Sequence, residues 1–301
     1  MRCKAQAPAK INLTLDIMRR RPDGYHEVDM LMQSVSLYEN VTLEADPLWQ
    51  GECGNITITC NKEGVPCDST NIAYKAAKAF FDYVGISAHS DIAIHIEKQI
   101  PFGAGLAGGS ADGAAVIVIL NRIYDKHLKE TELCEIGARV GADVPFCIVG
   151  GTRRATGIGT TFSKVPKLSK CYIVICKPEI SISTAKAYAL ADSRTGAKFS
   201  YTDLCAKALY SGSVRNVSDF LHNDFEEVLS LDVINSIKET MLKSKALGAA
   251  MSGSGSAVFG LFLTKSKAEK CAELLRGEYE DVYVVKPVNE GVIITEIPFS
   301  E

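Results

Sequence analysis

The chain has 301 residues, a formal net charge of −3 and 47% apolar residues, enough to bury one large core or two ordinary ones. That charge balance excludes an obviously basic nucleic-acid or membrane-surface protein, though not a local basic patch. The ten cysteines contain no C-x-x-C pair, and the seven-residue spacing of Cys53, Cys60 and Cys67 fits no common zinc or iron–sulfur pattern; scattered thiols in a reducing compartment are expected instead.

In chain order, residues 1–10 lack the apolar stretch of a secretion signal. Ile11, Leu13, Leu15 and Ile17 alternate with other positions, which predicts a strand with Lys10 at or just before its start. Ile56, Ile58 and Cys60 give a shorter version of the same period. Ile72, Ala76, Phe80 and Val84 recur every four residues, predicting a helix with Asp68 or Ser69 as its N-cap. Ile92, Ile94 and Ile96 alternate with Ala93, His95 and Glu97, as in a half-buried strand. Helical patterns follow over 111–124 and 131–140. Further on, strands are expected at 172–176, 257–263, 281–285 and 291–297, with helical stretches up to about 245 and a helix over 266–276. The uncharged run 246–264 is long enough to raise a membrane span, but Gly248, Gly253, Gly255 and Gly260 break it up and read as a loop. Strands and helices alternate in both halves, so the class is α/β or α+β, with a boundary within 155–170.

The strongest chemical signal is Pro101-Phe-Gly-Ala-Gly-Leu-Ala-Gly-Gly-Ser110, between a strand and a helix. Glycines let the backbone approach a ligand closely, and the helix that follows offers free N–H groups and a positive dipole end. The combination makes an anion site, most often for phosphate. Ser110 caps the helix or presents its hydroxyl to a phosphate or Mg²⁺; the plainer alternative is a glycine-rich turn without a ligand. Gly103, Gly105 and Gly108 satisfy G-x-G-x-x-G, but Lys98-Gln99-Ile100-Pro101 separates the strand from the glycines and a second helical stretch follows the first, against the strand–turn–helix–strand context of a dinucleotide site. A Walker A loop is excluded, because the chain contains no Gly-Lys pair. Two further segments carry chemistry-bearing residues: Ala7-Pro-Ala-Lys10-Ile-Asn12-Leu and Gly141-Ala-Asp143-Val-Pro145-Phe. Taken singly, Lys10 reads as a solvated surface residue and Asp143 as a helix cap. Met251-Ser-Gly-Ser-Gly-Ser256 is one more glycine cluster.

Together these segments resemble the GHMP kinases, the superfamily of galactokinase, homoserine kinase, mevalonate kinase and phosphomevalonate kinase. The glycine loop is similar to the superfamily's ATP-binding signature P-x-x-x-G-L-x-x-S-(S/A), with Gly109 and Ser110 at its end. Arg21-Pro-Asp-Gly-Tyr-His26-Glu and Val65-Pro-Cys-Asp-Ser-Thr-Asn71, with the segments around Lys10 and Asp143, narrow the resemblance to the kinases of 4-diphosphocytidyl-2-C-methyl-D-erythritol. The R-x-D-G-Y-H-E run discriminates best, since homoserine and mevalonate kinases lack it. The motifs run from residue 7 to about 260.

The resemblance implies an α+β, two-domain GHMP kinase fold. Residues 1–160 would form a ribosomal-protein-S5-like ATP-binding domain and 161–301 a ferredoxin-like domain, with the active site between them. It implies phosphoryl transfer from ATP, with Mg²⁺, to the 2-hydroxyl of the cytidine-linked methylerythritol in non-mevalonate isoprenoid precursor synthesis. Lys10 and Asp143 match the catalytic pair; Tyr25 and His26 match the cytidine segment, and Asn12 a site position beside the lysine. Pro101, Phe102, Gly103, Ala104, Gly105, Leu106, Ala107, Gly108, Gly109, Ser110 and Ala111 match the ATP loop. Asn71 and Lys98 are adenine-contact candidates by position, and Tyr188 a second aromatic wall for the base. No metal ligand is assigned. A cytoplasmic monomer or homodimer is expected, without nucleic-acid or membrane partners.

The residue types suit the chemistry. A carboxylate accepts the hydroxyl proton, a lysine offsets charge on the transferring group, and an aromatic face stacks on a pyrimidine. Three positions depart from the common pattern. Ala107, where many members have Gly, predicts a negative φ; Ala111 removes one possible hydroxyl; Asp112 sets an acid near the phosphates, unfavourable unless Mg²⁺ or the helix end offsets it. The alternatives are a GHMP kinase of another alcohol and a non-catalytic nucleotide or sugar sensor of the same fold.

Overall fold

Two 19-residue strands, β1 (Arg2–Arg20) and β2 (His26–Glu44), form an antiparallel hairpin closed by residues 21–25. In this computed structural model, which describes residues 1–193 and 199–296, the first half continues through β3 (Ile56–Cys60), α1 (Ile72–Val84), β4 (Ile92–Glu97), α2 (Gly108–Ile123), α3 (Glu130–Ala138), α4 (Val144–Val149), β5 (Thr152–Thr156) and β6 (Thr161–Lys164). The second half contains β7 (Tyr172–Lys177), α5 (Thr184–Asp192), α6 (Tyr201–Leu209), α7 (Val214–Ser218), β8 (His222–Asn223), α8 (Asp224–Leu229), α9 (Asp232–Lys243), β9 (Ala249–Met251), β10 (Val258–Phe262), α10 (Lys265–Arg276), β11 (Asp281–Val285) and β12 (Ile293–Glu296).

The first sheet runs β12-β1-β2-β4-β3, with β5 and β6 continuing beside β2 and β8 beside β1. The second is antiparallel, in the order β11-β7-β10-β9. This mixed pairing is the α+β architecture, and no doubly wound parallel sheet is present among the described residues. The second sheet is buried on both faces. Ile173, Ile175, Phe259 and Leu261 join the core of the first half, while Val174, Cys176, Val258 and Phe262 pack with Ile237 and Met241 of α9 and Cys271 and Leu275 of α10. Two-sided burial explains the uncharged run 246–264, which folds as β9, a glycine loop and β10. No described helix is long and apolar enough to cross a membrane.

Several boundaries differ from the sequence reading. Lys10 lies in mid-strand, because β1 extends from residue 2 to 20. β2 is absent from the sequence reading: Val28, Met30 and Met32, then Val35 and Leu37, alternate along it, but Asp29, Gln33, Ser34 and Glu39, buried with them because both faces are covered, interrupt the apolar pattern. The last strand, β12, returns to the first sheet beside β1, and the last residue of the expected 291–297 strand, Ile297, lies outside the described residues. The cap of α1 is Asn71, whose Oδ1 accepts from the Ala73 N–H at 2.8 Å. Asp68 instead folds back onto Thr70. Replacing Asn71 by Ala is expected to lower stability by about 1 kcal/mol, read as a shift in a urea unfolding curve without a change of slope.

The start of α2 differs most. It begins at Gly108, three residues before the expected 111, and its N-cap is Ala107 at φ 61°. A negative φ at Ala107 is therefore not realised, because the chain must turn left-handed there to enter the helix. Ser110 lies inside the first turn and is not the cap.

Candidate active site

Lys10 is 3% exposed. Its ammonium donates to Asn12 Oδ1 at 2.6 Å and lies 3.8 Å from Asp143 Oδ2. Asn12 is anchored in turn: its backbone N–H donates to Ser252 Oγ at 3.2 Å and its amide nitrogen meets Met30 Sδ at 3.1 Å. Lys10 N donates to Leu106 O at 3.1 Å, and Ser252 Oγ donates to Gly105 O at 2.9 Å. Mid-strand β1, the glycine loop and the β9–β10 loop are thereby tied at one place. A buried lysine with two fixed partners is a positioned charge, unlike a solvated surface lysine.

Asp143 occupies the N-cap position of α4, yet its side chain makes no capping bond. Its side chain is 35% exposed, and apart from Lys10 no described group engages the carboxylate. It is free to accept a proton from a bound hydroxyl.

The glycine loop forms the next wall. Gly103 and Gly105 have φ of 64° and 73°, so the loop turns where L side chains are strained. The first intrahelical bond of α2 is Ala111 N to Ala107 O at 2.8 Å, which leaves the N–H groups of Gly108, Gly109 and Ser110 without intrahelical acceptors, at the positive end of a 16-residue helix. The cleft they border has a volume of about 880 Å³, and all three line it. Leu106 and Ala111 of the expected ATP loop instead point into the core, where small and apolar residues let α2 lie on β1. Asn71 is spent on capping α1 and on a bond to Pro66 O at 2.6 Å.

Lys98 borders the cleft floor but is not a free cation. Its ammonium sits 2.8 Å from Glu39 Oε1 and 2.6 Å from Asp112 Oδ2, with all three side chains buried. Burial pushes Asp112 up to about 7, with Lys98 pulling the other way. Burial works against the charge on Lys98, but the two carboxylates outweigh it and its pKa rises. The acid that looked unfavourable beside phosphates is thus answered by Lys98. Glu39 also accepts from Gln99 N and Ile100 N at 2.9 and 3.3 Å, fixing the segment that enters the glycine loop.

The hairpin turn supplies the other end of the cleft. Arg21 pairs with Asp23 at 2.9 Å, and Asp23 accepts from Tyr25 N, closing the turn and leaving Tyr25 61% exposed. His26 stacks on Tyr188 with ring centroids 4.3 Å apart and planes at 15°. Tyr188 meets the edge of Phe225 at 4.9 Å. Burial, and then the Asp143 charge, push the Tyr188 phenol up to about 12, so this aromatic group lies within electrostatic reach of the Lys10–Asp143 pair.

Of the residues singled out in the sequence, the cleft brings together Lys10, Asn12, Tyr25, His26, Asp143 and Tyr188 with most of the glycine loop. Asp192, which holds His26, and Glu39 carried no recognisable signal. The Ser252–Gly253 part of the third glycine cluster had one, but no role. Cys53, Cys60 and Cys67 do not converge; among the described residues the one group with three metal-type side chains is His222, Asp224 and Glu227.

Comparison with known proteins points one way. The profile of the GHMP kinases N terminal domain matches residues 71–151, and that of the GHMP kinases C terminal domain residues 205–281. The 4-diphosphocytidyl-2-C-methyl-D-erythritol kinase of Caldicellulosiruptor saccharolyticus is 42% identical over 273 residues, covering 90% of this chain and 92% of its own. That of Clostridium novyi is 37% identical over 285 residues, covering 94% and 99%. Among solved structures, a 4-(cytidine 5'-diphospho)-2C-methyl-D-erythritol kinase superposes with a TM-score of 0.77 at 28% identity, covering 94% of this chain and 98% of that one. Homoserine kinase from Cytophaga hutchinsonii, at 20% identity and a TM-score of 0.78, shares the fold.

Proposed function

The chain belongs to the GHMP kinases, within them to the 4-diphosphocytidyl-2-C-methyl-D-erythritol kinase family, and on that premise we propose that it transfers the γ-phosphoryl group of ATP to the 2-hydroxyl of 4-diphosphocytidyl-2-C-methyl-D-erythritol. The observation that carries this reading is the buried Lys10 ammonium 3.8 Å from the partly exposed Asp143 carboxylate, in one cleft with a helix N-terminus and a presented tyrosine.

Phosphoryl transfer needs positioning and charge neutralisation more than covalent help. The N–H groups of Gly108, Gly109 and Ser110 hold the nucleotide phosphates. Asp143 takes the proton of the attacking hydroxyl, and Lys10, fixed by Asn12, offsets charge on the group in transit. Mg²⁺, when bound with the nucleotide, adds further neutralisation of phosphate charge. For a hard cation the cleft offers few oxygen donors, among them the Ser110 hydroxyl and the Asp143 carboxylate, and the phosphates would supply others, which is how Mg²⁺ is commonly held. Tyr25 stacks on the cytosine and His26, with Tyr188 stacked on its ring, faces the edge of the base. We place the protein in the cytoplasm as a monomer or homodimer. The two domains are residues 1–160 and 161–301, with β6, β8 and β12 of the second joined to the sheet of the first.

The test is ADP release from ATP and Mg²⁺ with the cytidine-linked methylerythritol. Wild-type turnover is expected, and Tyr25→Ala should raise the KM for this substrate about 5- to 150-fold while leaving that for ATP alone, since stacking of one base contributes about 1–3 kcal/mol. Turnover with an unchanged KM in Tyr25→Ala would point to another alcohol; ATP binding without turnover on any alcohol would point to a sensor.

A further inference from the structure

Asp192 closes α5 four residues after Tyr188, so the two side chains leave one face of the helix. That face meets His26. Tyr188 stacks on the imidazole, and Asp192 Oδ1 lies 2.7 Å from Nε2. Arg20 Nη1, 3.7 Å from Asp192 Oδ2, holds the carboxylate from its other side. An ionised carboxylate only accepts hydrogen bonds, so the imidazole must carry a proton on Nε2. In the neutral ring Nδ1 is then a lone pair. It has no hydrogen-bond partner among the described residues, although the side chain is only 8% exposed and borders the cleft.

We infer that Asp192 is a positioning residue that selects the base of the nucleotide substrate, an inference that rests on the cytidine-kinase reading above. By keeping the proton on His26 Nε2, Asp192 makes Nδ1 an acceptor. An acceptor pairs with the exocyclic amino group of cytosine and is repelled by the O4 oxygen that uracil carries at the same position. Without the carboxylate the ring is free to take the other tautomer, whose Nδ1–H pairs with that oxygen, and the preference falls.

The experiment combines titration calorimetry of CDP and UDP with ¹⁵N spectra of the histidine rings in the ligand-free protein, for the wild type, Asp192→Ala and Asp192→Asn. A His26→Gln spectrum assigns the resonance. The wild type should show an Nε2-protonated His26 and bind CDP more tightly than UDP. Asp192→Ala should mix the tautomers and cut the CDP/UDP ratio by about fivefold, with Asp192→Asn between them because its amide oxygen still accepts. The near-isosteric Asn variant also carries the comparison if the Ala variant does not fold. An Ala variant that keeps the ratio within about twofold or leaves His26 in one tautomer, a variant that weakens both nucleotides equally, or an Asn variant indistinguishable from the wild type in both ratio and ring spectrum overturns the inference. If the wild type turns over the cytidine substrate while its variants keep the ratio, the inference alone fails. A wild type without preference for CDP overturns the cytidine reading and the inference with it.

Discussion

Asp143→Asn is expected to lower kcat by about 10²–10⁴ while leaving ATP binding near its wild-type value. The substitution keeps the volume of the side chain and an oxygen for Lys10, 3.8 Å away, so the cleft should keep its shape. It removes the one property the reaction uses, the capacity to take a proton. The side chain makes no capping bond to α4, so helix stability should be little changed, which separates this variant from a folding defect. Steady-state kinetics in both substrates, beside a thermal melt, decide the matter. A loss of less than about tenfold would show that the hydroxyl proton leaves by another route. The double variant with Lys10→Ala should be little worse than the more damaging single variant, because the two groups act on one transfer.

Gly105→Ala should damage both folding and nucleotide binding. A Cβ on residue 105 would lie 2.0 Å from Ser252 O and 2.9 Å from Ser252 C, and the residue sits at φ 73°. Neither contact is with the tip of a flexible side chain; both are with backbone. The same joint carries the bond from Ser252 Oγ to Gly105 O and the approach of Ser252 to Asn12. Pushing the loops apart therefore moves the phosphate cradle away from Lys10. A loss of roughly 2–4 kcal/mol in stability is expected, together with weakened ATP binding. Gly64→Ala is the control. It has φ 81° but nothing within 4 Å of an added Cβ, so it should cost only the left-handed strain, about 1–2 kcal/mol. Denaturant unfolding and nucleotide titration on the two variants check this. Equal losses would mean that backbone strain, and not the clash with Ser252, sets the effect.

Legibility varied along the chain for physical reasons. Helices with one wet face, such as α1 and α10, were placed within a residue or two at most ends, because partial exposure imposes a 3.6-residue period on the sequence. β4 was found by its period of two for the same reason. β2 escapes the same test because buried polar residues, among them Gln33, Ser34 and Glu39, interrupt its apolar positions. The start of α2 was misplaced because Ala107 adopts a left-handed conformation that favours Gly or Asn.

At the site, the sequence by itself determined the chemical parts: a glycine loop before a helix, a lysine and an aspartate in distant motifs, and a tyrosine–histidine pair in a tight turn. These are short-range patterns, and their resemblance to a kinase family gave them roles. Only the tertiary structure decided how the parts act. It set Lys10 against Asp143 across 133 positions of chain, placed Lys98 between the carboxylates of Asp112 and Glu39, withdrew Leu106, Ala111 and Asn71 from the cleft, and brought Asp192 to His26. Electrostatic and hydrogen-bonding effects depend on distance in space and on exclusion of water. Neither is encoded in spacing along the chain once the contacting residues belong to different elements.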